Sequence, residues 1–149
     1  MKANSLSALW LGLLLLLTAC DAGHEALIGQ QSKPFNSSGR WLVVNYWAVW
    51  CKPCVTEIPE LNALARAEPN LMVLGVNFDQ VGLKQLQVLR DKLGIEFPLL
   101  TSDARHLGLE KPSVLPTTYL INPAGEVAMT LIGPQSVDSL LFALKTTGY

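Results

Sequence analysis

Trp50-Cys51-Lys52-Pro53-Cys54 stands directly after an apolar run, Trp41-Leu42-Val43-Val44-Asn45-Tyr46-Trp47, and directly before an amphipathic stretch, Val55 to Ala67. The run is rich in β-branched and aromatic residues, which predicts a buried central strand. The stretch that follows places Val55, Ile58, Leu61, Leu64 and Ala65 on one helical face. The two cysteines therefore sit at a strand-to-helix junction, where a small disulfide ring can close and open again. A helix N-terminus carries partial positive charge and unpaired N–H groups, which favour thiolate over thiol. Thiolate is the form that attacks a disulfide, so the stretch suggests thiol–disulfide exchange.

Two other readings of the pair stay open at this point. One is half of a zinc site. A structural zinc takes four ligands, usually from two such pairs. The chain has only Cys20, Cys51 and Cys54, with His24 and His106 away from knuckle spacing. The other is a plain structural disulfide. A loop of two residues constrains little unfolded-chain entropy, which makes stability a poor reason for it.

The start of the chain reads as a processing segment. Lys2 gives a positive start, and Leu6 to Leu17 is an apolar run too short for a membrane span, which takes about 20 residues. Leu17-Thr18-Ala19-Cys20 resembles a bacterial lipobox, in which small residues precede a cysteine that is lipidated and becomes the first residue of the mature chain. On this reading residues 1–19 are a lipoprotein signal peptide, 20–34 a lipidated tether and 35–149 the folded domain. An uncleaved anchor, or cleavage by the ordinary signal peptidase, are the alternatives. Three cysteines would leave a spare thiol in an exported protein. With Cys20 lipidated, Cys51 and Cys54 remain as the pair. Asp21 resembles an inner-membrane retention signal, which places the chain in the bacterial cell envelope, facing the periplasm.

Removing Lys2 leaves ten basic against twelve acidic side chains, a net charge of −2. No basic run or stripe exists, so nucleic acid is an unsuitable partner. Residues 21–34 are mostly polar and unpatterned, as a tether would be. Beyond them strands and helices alternate. Leu71–Asn77 reads as a second buried strand, and Gly82–Leu93 as a helix with Leu83, Leu86, Leu89, Arg90 and Leu93 on one side, ended by Gly94. Phe97–Leu100 reads as a short strand and Asp103–Leu109 as a short helix capped by Ser102 or Asp103. Thr117–Ile121 and Glu126–Ile132 read as antiparallel strands joined by a turn at Asn122-Pro123-Ala124-Gly125. Ser136–Thr146 reads as a last helix with Val137, Leu140, Leu141 and Leu144 facing in. The order implies a mixed α/β sheet covered on both faces.

Together these features resemble the thioredoxin superfamily over most of residues 35–149. Asn45 to Cys54 is similar to the family's strand-to-active-site run. Pro59 falls where family members kink the active-site helix. Leu115-Pro116-Thr117-Thr118 is similar to the cis-proline loop, and Asn122 to Gly125 to the usual hairpin turn. The resemblance implies a thioredoxin fold, a central mixed β-sheet flanked by helices, with an extra strand–helix insertion (residues 71–93) before the cis-proline loop. Small thioredoxins carry a buried aspartate six residues before the first cysteine. Asn45 stands there instead, and Glu57 lies three residues after Cys54. These positions resemble the membrane-tethered TlpA/ResA type, which includes the cytochrome c maturation proteins called DsbE or CcmG. Such proteins are exported reductants fed with electrons by a membrane protein of the DsbD or CcdA kind. Two departures are visible: the segment before Arg40 lacks the N-terminal hairpin signal, and Lys-Pro separates the cysteines where many cytochrome-maturation members have Glu-Pro.

The resemblance implies a role for each site residue. Cys51 attacks and Cys54, one turn inside the helix, resolves the mixed disulfide. Glu57 accepts the proton of Cys54. Pro116 is cis, and the backbone of Leu115 pairs with a substrate strand. Trp50, Lys52 and Pro53 belong to the substrate surface, Lys52 adding a cation beside Cys51, and Trp47 packs beneath the loop. No cofactor or metal is expected. The implied activity is a lipid-anchored, monomeric thiol–disulfide oxidoreductase that reduces disulfides in exported client proteins. The alternatives are an oxidase of the DsbA kind and a non-catalytic copper-binding thioredoxin-like module. A peroxiredoxin is disfavoured, since neither cysteine has the upstream proline and threonine or serine of that group.

Overall fold

A computed structural model describes residues 27–28 and 39–149 of the chain. The expected signal peptide at 1–19, the expected lipidation site Cys20, His24 and most of the expected tether lie outside the described residues.

The first long strand forms where the apolar run predicts it. Leu42–Trp47 (β2) is buried at every position and lies at the centre of the sheet. It pairs in parallel with Met72–Asn77 (β3) and antiparallel with Thr117–Ile121 (β5). A strand flanked on both edges and covered on both faces is mostly apolar, which is why this run does not alternate, with Asn45 as its buried polar exception. Val127–Ile132 (β6) pairs with β5 and alternates between exposed and half-buried positions, as an edge strand covered on one face should. Leu99–Leu100 (β4) extends the sheet on the other side of β3. The chain thus builds a mixed sheet of order β1-β4-β3-β2-β5-β6, in which β1 is Leu27–Ile28.

Strand β1 lies in the stretch read as an unpatterned tether. It pairs antiparallel with β4. Two residues held by backbone hydrogen bonds need no side-chain periodicity, so composition could not mark them. Strand β4 is shorter than the expected Phe97–Leu100, because Pro98 has no N–H for a ladder and only its carbonyl is used, accepting from Gly75 N–H at 2.9 Å.

Three α-helices follow the expected order with boundaries shifted by a residue or so: Lys52–Ala67 (α1), Leu83–Leu93 (α2) and Val137–Thr147 (α3). Helix α1 runs through Pro59. Helix α2 ends at Gly94 in the left-handed conformation, with φ 65°. Its Leu83 is 56 % exposed, against the expectation that it faces inward, and Leu86 and Leu89 carry the packing. A first-turn leucine lies at the rim, beyond the reach of the sheet. The expected helix at Asp103–Leu109 is a single 3₁₀ turn, Ala104–Leu107, capped by Asp103.

The core divides by sheet face. Val43, Trp47 and Val73 pack with Ile58, Leu61 and Leu64 of α1, Leu86 and Leu89 of α2, and Leu140 and Leu144 of α3. Leu42, Val44, Tyr46, Leu74 and Val76 pack on the opposite face with Ala104 and Leu109. Asn45 has the parity of Val43 and Trp47, so β2 aims it at the helical layer.

Gly75 in β3 has no room for a side chain. A Cβ there would lie 2.4 Å from Leu99 Cδ2, 2.9 Å from Phe97 Cε2 and 3.1 Å from Trp47 Nε1. All three neighbours are buried and cannot swing into solvent. Gly75→Ala should therefore overpack the core and lower stability by about 1–3 kcal/mol. Urea unfolding is the measurement, and a midpoint equal to that of the wild type would show that the core yields.

Candidate active site

Helix α1 begins at the dithiol. Cys51 is its N-cap, in extended backbone, and its carbonyl accepts the first intrahelical bond from Val55 N–H at 3.1 Å. The Cys54 N–H points back at Cys51 Sγ at 3.3 Å. A sulfur at this place faces the unpaired N–H groups of the first turn, which stabilise negative charge on it. Cys51 and Cys54 form a disulfide, with the Cα atoms 5.3 Å apart. Cys51 retains 5 % exposure and Cys54 none, so Cys51 is the outer of the two. Lys52 and Pro53 occupy the first helical turn and are exposed. Proline is tolerated there because that N–H has no intrahelical acceptor.

Leu115–Pro116 is a cis peptide bond, immediately before β5. Pro116 is buried and Leu115 half-buried. The pairing of β5 with β2 brings this loop to the same end of the sheet as the dithiol. Trp47 is buried in the core cluster that includes both cysteines. Trp50 is 63 % exposed, and its indole N–H donates to the Asp79 carboxylate at 3.0 Å. Phe78 meets Trp50 edge to face, and the Lys111 ammonium sits 3.8 Å over the Phe78 ring. Asp79, Phe78 and Lys111 had no local signal in the sequence. Phe78 and Asp79 enter the rim because they directly follow β3, and Lys111 reaches it from the segment before β5.

Glu57 lies one helical turn beyond Cys54, on the face that packs against the sheet. It is only 2 % exposed, which is unusual for a carboxylate. Asn45 Nδ2 donates to its Oε1 at 2.7 Å, and Gln135 N–H donates to its Oε2 at 2.9 Å. Asn45 Nδ2 also donates to Thr118 Oγ at 3.0 Å, which ties the group to the strand after the cis-proline. Burial disfavours the charged form and raises the Glu57 pKa to about 7. The two hydrogen bonds favour the carboxylate and oppose that rise without cancelling it. A group poised there can take or give a proton near neutral pH. Among the described residues, no cluster of three or more His, Cys, Asp or Glu could hold a metal ion.

The raised pKa has a consequence for stability. An unfolded glutamate titrates near 4.5 and the folded one near 7, so between these values the folded state binds more protons. Stability contributed by the protonated form is therefore lost as pH rises from about 4.5 to about 7, roughly 3 kcal/mol in all. Glu57→Gln has no proton to lose. The stability of the wild type relative to Glu57→Gln should fall across that window and then level off. Denaturant unfolding of both proteins at several pH values measures it, and a flat difference would show that Glu57 titrates as an ordinary glutamate.

Residues 19–130 match the AhpC/TSA family. The thioredoxin-like protein YneN of Bacillus subtilis (strain 168) is 29% identical over 119 residues, 77% of this chain and 69% of that protein. The thiol-disulfide oxidoreductase ResA of Geobacillus kaustophilus (strain HTA426) is 28% identical over 126 residues, 83% of this chain and 72% of that protein. The crystal structure of StoA from Bacillus subtilis has the same fold, with a TM-score of 0.64 at 22% identity, covering 79% of this chain and 96% of that one. With a bonded Cys51–Cys54 pair at the start of its active-site helix, the chain belongs to the AhpC/TSA family and is a thioredoxin-like thiol–disulfide oxidoreductase.

Proposed function

We propose that the chain reduces disulfides in exported proteins. The observation that carries this reading is the buried Glu57 carboxylate one turn from the buried Cys54. A reductase must deprotonate its inner thiol within a bound complex, where water is excluded, and a base of pKa about 7 suits that step.

The reaction runs in two displacements. The Cys51 thiolate attacks one sulfur of the client disulfide, and the other client sulfur leaves as a thiolate that takes a proton from solvent. Cys54 then gives its proton to a Glu57 oxygen, and its thiolate attacks Cys51 Sγ. The second client sulfur leaves as a thiolate and is protonated in turn. The client gains two electrons and two protons, and the Cys51–Cys54 disulfide is left. Two electrons from a membrane protein of the DsbD or CcdA kind reset the pair. Cis-Pro116 and Leu115 present the backbone along which a client strand lies, while Trp50, Lys52 and Pro53 form the surface around the attacking sulfur. Cytochrome c maturation is one client class within this reading.

The equilibrium potential against glutathione tests the direction of electron flow. A value around −270 to −200 mV is expected of a reductase, and one around −120 mV would make the chain an oxidase.

The same reading places the domain at the envelope membrane, on the periplasmic side, through lipidated Cys20. Among the described residues no helix is long and apolar enough to cross a membrane. One acyl chain binds only marginally, so firm attachment calls for several. Cys20→Ala should leave the precursor unprocessed or the mature chain in the soluble fraction, with its dithiol activity intact. Fractionation and mobility checks decide it, and unchanged processing and attachment would sink the lipid anchor.

A further inference from the structure

Three main-chain hydrogen bonds converge on the segment between β6 and α3. Gly133 N–H donates to the Pro116 carbonyl at 2.9 Å. Gln135 N–H donates to Glu57 Oε2 at 2.9 Å. Val137 N–H donates to Glu60 Oε2 at 2.9 Å. One short stretch of backbone thus touches the cis-proline, the buried carboxylate and the next turn of the active-site helix.

Something must hold that stretch in shape, because it is an irregular connection. Gly133 has φ 91°, where a residue with a side chain is strained. The Gln135 side chain supplies two further restraints. Its Nε2 donates to the Gly133 carbonyl at 2.9 Å, and its Oε1 accepts from Ser139 Oγ at 3.0 Å. Ser139 is itself fixed, as the N3 residue of the capping box that opens α3. The half-buried Gln135 amide therefore braces the turn before it against the helix after it, and its own N–H is aimed at Glu57 as a result.

We propose that Gln135 is a positioning residue for the Glu57 carboxylate, its side chain locking residues 133–137 so that their backbone joins Glu57 to the cis-Pro116 loop. The inference rests on the reading of Glu57 as the base of resolution. The groups facing Glu57 are Asn45 from β2, the Gln135 N–H from the loop and the bulk of the core; none is a charged side chain. The loop N–H and Asn45 are thus the two polar contacts through which the protein tunes this carboxylate. The loop also answers to Pro116, so a client strand pressing on the cis-proline loop would reach Glu57 through Gly133 and Gln135.

The test is a ¹³C carboxyl titration of Glu57 in the full, oxidised chain, together with the pH profile of mixed-disulfide resolution. Gln135→Ala removes both side-chain bonds and keeps the main-chain N–H. The N–H stabilises the carboxylate, so loosening it should raise the Glu57 titration midpoint by roughly half a unit to one unit, part of what a charge-assisted hydrogen bond contributes. Gln135→Met keeps the length and the apolar stem and should reproduce the shift, which provides a second variant if alanine leaves the loop unfolded. The resolution profile should move upward by the same amount, while alkylation of reduced Cys51 stays at the wild-type rate. A Glu57 midpoint unchanged in both variants overturns the proposal. A midpoint that moves while the resolution profile does not would refute Glu57 as the base and leave its positioning by Gln135 standing.

Discussion

A carboxylate sealed beneath the helix that carries the dithiol is the constraint around which this site is arranged. Burial alone would keep Glu57 protonated at neutral pH. Two donors, Asn45 Nδ2 and the Gln135 N–H, pull the other way, one on each oxygen. The outcome is a group near pKa 7, held in place from two sides. Neither donor belongs to α1. One comes from the central strand and the other from the connection ahead of the last helix, so the titration of a single side chain depends on the register of the sheet and the docking of α3.

The fold makes this economical. Strand β2 delivers the chain to Cys51 with three residues of polar or aromatic character at its end, and its parity puts Asn45 under the helix it launches. Strand β5 returns antiparallel alongside, so Thr118 faces Asn45 across the sheet and Pro116 arrives beside the cysteines. Strand β6 then continues its ladder past Ile132, through Gly133 N–H to the Pro116 carbonyl, and the turn that follows reaches Glu57. The cis-proline loop and Glu57 are thus joined by hydrogen bonds between neighbouring strands and loops, and the dithiol heads the helix that carries Glu57.

Much of this was legible in the sequence where chemistry and periodicity coincide. The Cys51/Cys54 pair is readable because no other arrangement of three cysteines gives two thiols at a helix start. Strands β2 and β3 are readable because a strand covered on both faces is mostly apolar, and β5 because β-branched and aromatic residues dominate it. What stayed hidden depends on partners distant in the chain. Leu83 satisfies the helical spacing of α2 yet lies at its rim, since periodicity finds a face without saying where the facing layer ends. Leu27–Ile28 joins the sheet through backbone bonds that leave no side-chain mark. Glu57 has the position of a surface glutamate favoured by the helix dipole, and only its place against β2 makes it buried. Gln135, a polar residue between Pro134 and Ser136, reads as loop, because the partners of its side chain, Gly133 and Ser139, and the Glu57 carboxylate on its N–H come together only in the folded chain.

The identity of residue 45 shows why a titrating Glu57 can sit where it does. An aspartate at this position would lie in hydrogen-bond contact with Glu57, given the 2.7 Å separation that Asn45 Nδ2 now spans. Two buried carboxylates that close cannot both ionise, so they would share one proton and titrate as a pair, with one value driven far up and the other down. Asparagine removes the second charge and supplies a donor. It satisfies Glu57 in its ionised form and, through the same amide nitrogen, keeps a bond to Thr118 when Glu57 is neutral. On the proposed mechanism the proton-accepting role therefore falls to one side chain with one pKa, and placing that role on the helix requires that the strand carry no acid of its own.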